Sequence, residues 1–115
     1  MEKIDRGNAE HYNWKTVCDG WHFVRSDALS IIAEKMPPHT AEDAHYHVHA
    51  KQFFYLLCGE AVMHVRGESV ALKAGEAIVI EPMEAHQMTN VSDEDTEFLV
   101  VSTPKFQGNR VLVSL

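Results

Sequence analysis

Three histidines alternate at positions 45, 47 and 49, inside Ala44-His45-Tyr46-His47-Val48-His49-Ala50-Lys51-Gln52, and a fourth, His86, follows the turn signal Glu81-Pro82-Met83. In an extended strand successive side chains point to opposite faces, so His45 and His47 share one. At a rise of roughly 3.3 Å per residue the two stand about 6.6 Å apart at Cα. Imidazole nitrogens that close can converge on one ion, since metal–nitrogen bonds are about 2.0–2.1 Å long. The spacing predicts a metal-binding β protein. His49 has the same parity, but the chain is expected to turn there toward the next strand, and it is read as a non-ligand. His64 reads as a core or surface residue, and His11, His22 and His39 as surface residues.

Frequent punctuation sets the elements that must position these groups. Asp19-Gly20, Pro37-Pro38, Gly59, Arg66-Gly67, Gly75, Pro82, Ser92-Asp93, Pro104 and Gly108 mark turns. Between them lie short segments rich in β-branched and aromatic residues: Trp21–Arg25, Leu29–Met36, Gln52–Leu57, Ala61–Val65, Ala77–Ile80, Phe98–Ser102 and Val111–Leu115. Such strands, with no amphipathic helix between them, predict an all-β sandwich or small barrel in one domain over residues 1–115. Gln52-Phe53-Phe54-Tyr55-Leu56-Leu57-Cys58 is apolar on both faces: Phe54, Leu56 and Cys58 share the side of Gln52, and Phe53, Tyr55 and Leu57 take the other. Both sides are therefore expected to be covered. The outer cover is expected from the N-terminal segment, through Trp14 and Trp21, or from a second subunit in a two-fold homodimer.

The 115 residues suffice for a core without disulfides. Acidic residues outnumber basic ones for a formal charge of -7, and no Lys/Arg-rich stretch occurs, which argues against nucleic-acid or anionic-membrane partners. The acidic run Ser92–Glu97 reads as a solvated turn. The N-terminus lacks an apolar run, and no stretch approaches the roughly 20 apolar residues of a membrane helix, so the cytoplasm is the expected location. Cys18 and Cys58 lack metal-ligand spacing and read as reduced thiols packed as small hydrophobes. There is no Gly-x-Ser-x-Gly nucleophile signature, no phosphate-cradling Gly-rich loop and no helical zinc signature with two His around a Glu.

The histidine spacing resembles the two linked motifs of the cupin superfamily. The first runs Gly, five residues, His-x-His, three or four residues, Glu, six residues, Gly; here it is His39, His45-Tyr46-His47, Gln52, Gly59. The second runs Gly, five residues, Pro-x-Gly, two residues, His, three residues, Asn; here it is Gly75, Glu81-Pro82-Met83, His86, Asn90. Every anchor keeps its spacing. The resemblance is to small single-domain metal-binding cupins, and it implies a double-stranded β-helix, or jelly-roll, barrel with His45, His47, Gln52 and His86 around a divalent transition metal. His39, Glu81 and Met83 replace turn residues of the motifs, whereas Gln52 replaces the carboxylate. An amide oxygen ligates but is neutral, so the site would be one charge more positive and a stronger Lewis acid. The alternative for Gln52 is a hydrogen-bond partner that orients an imidazole.

Three imidazoles and one amide leave open positions on an octahedral ion, the mark of a catalytic site. Parity puts Phe54, Leu56 and Met88 inside the barrel around it. The leading expectation is a metal-dependent enzyme acting on a small oxygen-rich molecule, of the dioxygenase, isomerase or lyase type, with manganese, iron, cobalt, nickel, copper or zinc all suited to the donors. Glu81, Glu84 and Glu97 are the sequence candidates for a general base, against a surface role for each. The alternatives are a non-catalytic module that binds a small ligand and a metal-free isomerase- or epimerase-like cupin using histidine as acid and base.

Overall fold

Period-two burial along the strands lays this chain out as two facing sheets. The computed structural model describes residues 1–105 and 110–114, and among these there is no helix. The strands are β1 (Glu10–Trp14), β2 (Cys18–Arg25), β3 (Ser30–Met36), β4 (Thr40–Ala41), β5 (His45–His47) and β6 (Lys51–Cys58). They continue as β7 (Glu60–Val65), β8 (Glu68–Lys73), β9 (Ala77–Ile80), β10 (His86–Asn90), β11 (Thr96–Thr103) and β12 (Arg110–Leu112). One sheet has the order β1-β2-β3-β11-β6-β9; the other runs β12-β5-β10-β7-β8, with β4 also paired to β10. Every pairing is antiparallel.

The inner faces of the two sheets make the core. Phe54, Leu56, Met63, Met88 and Phe98 are 3 % exposed or less and pack with Cys18, Met36, Ile80 and Val100. Phe54, Leu56 and Met88 thus point inward, as their parity requires. Cys58 departs from that parity and is exposed. The register of β6 on β11 slips between Glu97 and Phe98, so Cys58 no longer follows the alternation set by Gln52 to Leu56. Cys18 is a buried free thiol.

Two turn signals read differently in three dimensions. Asp19-Gly20 lies within β2. Gly20 leaves room for the ring of Tyr12 on β1: an added Cβ would stand 2.2 Å from Tyr12 Cζ. The reversal before β2 falls instead at Lys15 and Thr16, both with positive φ (49° and 67°). Arg66-Gly67, at φ 50° and 79°, makes the tight hairpin between β7 and β8 that its sequence predicts. Strands β1 and β8 were not expected from the sequence. Of the Val111–Leu115 segment, Val111 and Leu112 lie in β12, Val113 and Ser114 follow it outside any strand, and Leu115, like Gly108, is outside the described residues.

The N-terminal segment crosses the outer face of the β6 sheet as far as β11, where Arg6, stacked over Trp21, pairs with Glu97, and it leaves Phe53, Leu57 and Val79 exposed. Strands β1 and β2 extend the edge of the same sheet beyond β3 instead of folding over it. Phe53 and Val79 are partners in register, and Phe53 also faces Val101 on β11. Phe53 is 40 % exposed, Leu57 46 % and Val79 49 %.

Candidate metal centre

The antiparallel register of β10 on β5 sets His86 directly opposite His45. His47, two residues along β5, shares the inward face with His45. The ring centroids are 4.8 Å apart for His45–His47, 4.5 Å for His45–His86 and 6.0 Å for His47–His86. One nitrogen from each ring lies within 4.8 Å of the others, and all three residues are buried. The turn before β10 is tied to β5 as well, since the Met83 amide donates to the His47 carbonyl at 2.7 Å. Met83 and His39, which occupy glycine positions of the two motifs, both keep positive φ, 69° and 60°. The left-handed backbone of those turns persists without glycine.

Backbone carbonyls fix the imidazole tautomers. Nδ1–H of His45 donates to the Asp43 carbonyl at 2.6 Å, and Nδ1–H of His86 donates to the Glu84 carbonyl at 2.9 Å. Each Nε2 is then left with its lone pair, the state a metal ligand needs. Burial holds His45 far below an ordinary imidazole, to about 3, reinforced by His86 and Arg110 against the opposing Asp43 hydrogen bond. Burial lowers His86 too. Both rings are neutral at physiological pH.

Gln52 is 4 % exposed, and its Nε2 donates to the Ser102 hydroxyl at 2.9 Å. That bond orients the amide and leaves Oε1 buried without a hydrogen-bond partner, as is His86 Nε2. Buried polar atoms in native structures are ordinarily satisfied. A divalent cation fits this donor set: neutral imidazole nitrogens, an amide oxygen, and two buried acceptors awaiting a partner.

His45, His47 and Gln52 line a cavity of about 300 Å³. Its other walls are apolar, from Trp14, Ile32, Phe54 and Val100, and ionisable, from Glu34, Glu42, Arg110 and the ion pair of Lys15 with Asp43 at 2.5 Å. Burial, reinforced by the charge of Glu42, pushes Glu34 up to about 8. Burial raises Glu42 to about 7, against the Met88 amide that donates to its carboxylate. Tyr12 also faces the cavity, and burial with the Glu34 charge keeps its phenol protonated.

The remaining sequence candidates separate from this centre. Glu81 pairs with Lys51, Glu84 lies near Arg66, and Glu97 pairs with Arg6, all away from the cavity lining. His49 is exposed beyond β5. His64 meets Ser69 at 2.8 Å, and His11 and His39 pair with Asp19 and Asp93. His22, expected at the surface, lines the cavity instead, because β2 turns its Gly20 side inward beneath Tyr12. Glu34 and Glu42 were missed as well. Glu34 shares parity with Ile32 and Met36, and a carboxylate in the apolar phase of a strand was the available signal.

Two antiparallel sheets closing on a histidine cluster define a double-stranded β-helix protein with a site competent for a metal. Residues 33–102 match the family model described as the cupin domain, and the chain belongs to that family. The chain is 36% identical over 85 residues, 70% of each sequence, to the oxalate-binding protein of Thermotoga maritima. Among solved structures it is similar to KdgF from Halomonas sp. (TM-score 0.84, 15% identity, 93% of this chain and 96% of that one). It is also similar to the polyketide cyclase RemF from Streptomyces resistomycificus (TM-score 0.85, 18% identity, 100% and 87%). At those identities the likeness is one of fold.

Proposed function

We propose that the chain, as one domain over residues 1–115, is a metal-dependent enzyme acting on a small oxygen-rich molecule. His45, His47, His86 and Gln52 would hold the ion. The observation that carries this reading is the pair of buried, partnerless acceptors, His86 Nε2 and Gln52 Oε1, beside the histidine cluster. When bound, a divalent transition metal supplies Lewis acidity toward an oxygen-rich ligand. The protein supplies the rest. Asp43 and Glu84 carbonyls hold two imidazoles in the ligating tautomer, Ser102 holds the amide, and Phe54 and Val100 keep the walls dry. Arg110 brings positive charge for an acidic ligand, and the Glu34 carboxyl is placed to hold a proton inside the cavity.

A second reading is favoured by the relative named for binding oxalate: a non-catalytic module that captures a small chelating acid. Both readings require the ion. Elemental analysis of protein purified without an affinity tag should find near-stoichiometric transition metal, and His45→Ala should lose most of it. Absence of metal from the unaltered protein sinks both. Turnover lost in His86→Ala then separates the enzyme from the module, which would bind without turnover. The uncovered strip of Phe53, Leu57 and Val79 supports a two-fold homodimer as the working unit, because an identical uncharged strip covers it without opposing charges in an acidic chain.

A further inference from the structure

The cavity is larger and chemically richer than a metal chelate needs. Its volume of about 300 Å³ reaches the lower end of the range of small-molecule pockets, which run from roughly 300 to 1,000 Å³. A two-carbon dianion held at the histidines leaves much of that empty. Glu34 and Glu42 are on the lining too, from β3 and from the loop after β4. The Glu42 carboxylate accepts from the Met88 amide at 3.0 Å, which positions it, and no hydrogen bond to the Glu34 carboxyl occurs among the described residues. His22 Nδ1, which is not among the proposed ligands, is buried on the same cavity without a hydrogen-bond partner among the described residues, and so marks independently that the space is built to be filled by a polar ligand.

Two carboxyls within each other's field, half-buried on one cavity, do not both ionise readily. Glu34 is raised to about 8 and Glu42 to about 7, so the pair retains a proton near neutrality. A carboxyl that both donates and accepts complements an alcohol, which does the same. Arg110 on the same lining offsets the pair's remaining negative charge only in part, so a further carboxylate is disfavoured. The pair also disfavours an apolar tail, which would leave the buried carboxyls unpaired. Tyr12 adds a protonated phenol on the same lining.

We propose that Glu34 and Glu42 form a hydroxyl-recognition subsite, so that the preferred ligand joins a chelating head at the histidines to an uncharged, hydroxylated tail. The inference rests on the proposed metal centre and adds the ligand class. It is tested by calorimetric titration of the zinc-loaded protein with α-hydroxy acids that share one head and differ in the tail. The pairs are lactate with glycerate, 2-hydroxybutyrate with threonate, and lactate with malate for a charged tail. The hydroxylated member should bind roughly tenfold tighter than its apolar counterpart, and malate no tighter than lactate. Glu34→Leu should erase the preference, whereas Glu34→Gln, which keeps a donor and an acceptor, should retain most of it. Equal affinities in the first two pairs, no binding of either member, tighter binding of malate, or a preference that survives Glu34→Leu would overturn the subsite. Zinc content read on the same samples distinguishes the failures: loaded protein without the preference refutes the subsite alone, and protein that takes up no zinc refutes the metal centre and the subsite together.

Discussion

Glu34 and His45 show one force acting in opposite directions on two residue types. Burial disfavours the charged form, so it holds the imidazole deprotonated and the carboxyl protonated. For the histidine the neutral form is the useful one. For Glu34 the consequence appears in stability. A carboxyl whose folded-state affinity for the proton is raised stabilises the fold fully below its unfolded value and loses that contribution as pH climbs toward about 8. Glu42 presses in the same direction, Arg110 opposes it, and Tyr12 faces the pair without charge. Glu34→Gln is uncharged throughout and should therefore be more stable than the wild type at pH 9. The margin should be on the order of 4 kcal/mol, since the rise to about 8 is more than a thousandfold in proton affinity and each tenfold is worth about 1.36 kcal/mol. Denaturant titration at the two pH values measures it. At pH 4, below the unfolded value, the margin should nearly vanish, and a difference independent of pH would contradict this account. The histidines were legible in the sequence because their spacing is a geometric constraint of the strand. Glu34 was not, because one carboxylate between Ile32 and Met36 carries no spacing pattern, only an interruption of one.

Among the elements, the turns carry strain that the strands do not. His39 and Met83 adopt a left-handed backbone that an L side chain disfavours by roughly 1–2 kcal/mol. Met83→Gly should stabilise the protein by about 1 kcal/mol, offset in part by the greater freedom of glycine in the unfolded chain. Chemical denaturation measures this directly, and a loss of stability would mean that the Met83 side chain contributes more than its backbone costs. The strands rich in branched and aromatic residues were readable, β6 and β11 above all. Strand β1, Glu-His-Tyr-Asn-Trp, was not, since its place comes from packing Tyr12 onto Gly20 instead of from propensity. Strand β8 is similarly hidden: it is largely exposed and follows its partner only through the Arg66-Gly67 hairpin.

For the whole molecule, sequence reasoning reached the all-β class and the cupin arrangement because both motifs keep their spacing through four substitutions. It left the outer cover of β6 open between two candidates; the N-terminal strands lie beside the sheet and leave Phe53 and Leu57 exposed. A homodimer should then appear in sedimentation or light scattering as twice the chain mass, and Phe53→Lys should shift it to monomer without loss of fold. A monomeric wild type would defeat the expectation. The hydrophobic cluster of Leu56, Met63, Met88 and Phe98 fills the interior beyond His86, while Lys15 and Asp43, each about half exposed, stand at the other end of the cavity. Lys15, Asp43 and Arg110 are the exposed residues of that lining. A ligand approaching over them meets two cations and one carboxylate, a rim whose net positive charge draws a small anion before it reaches the donors deeper inside.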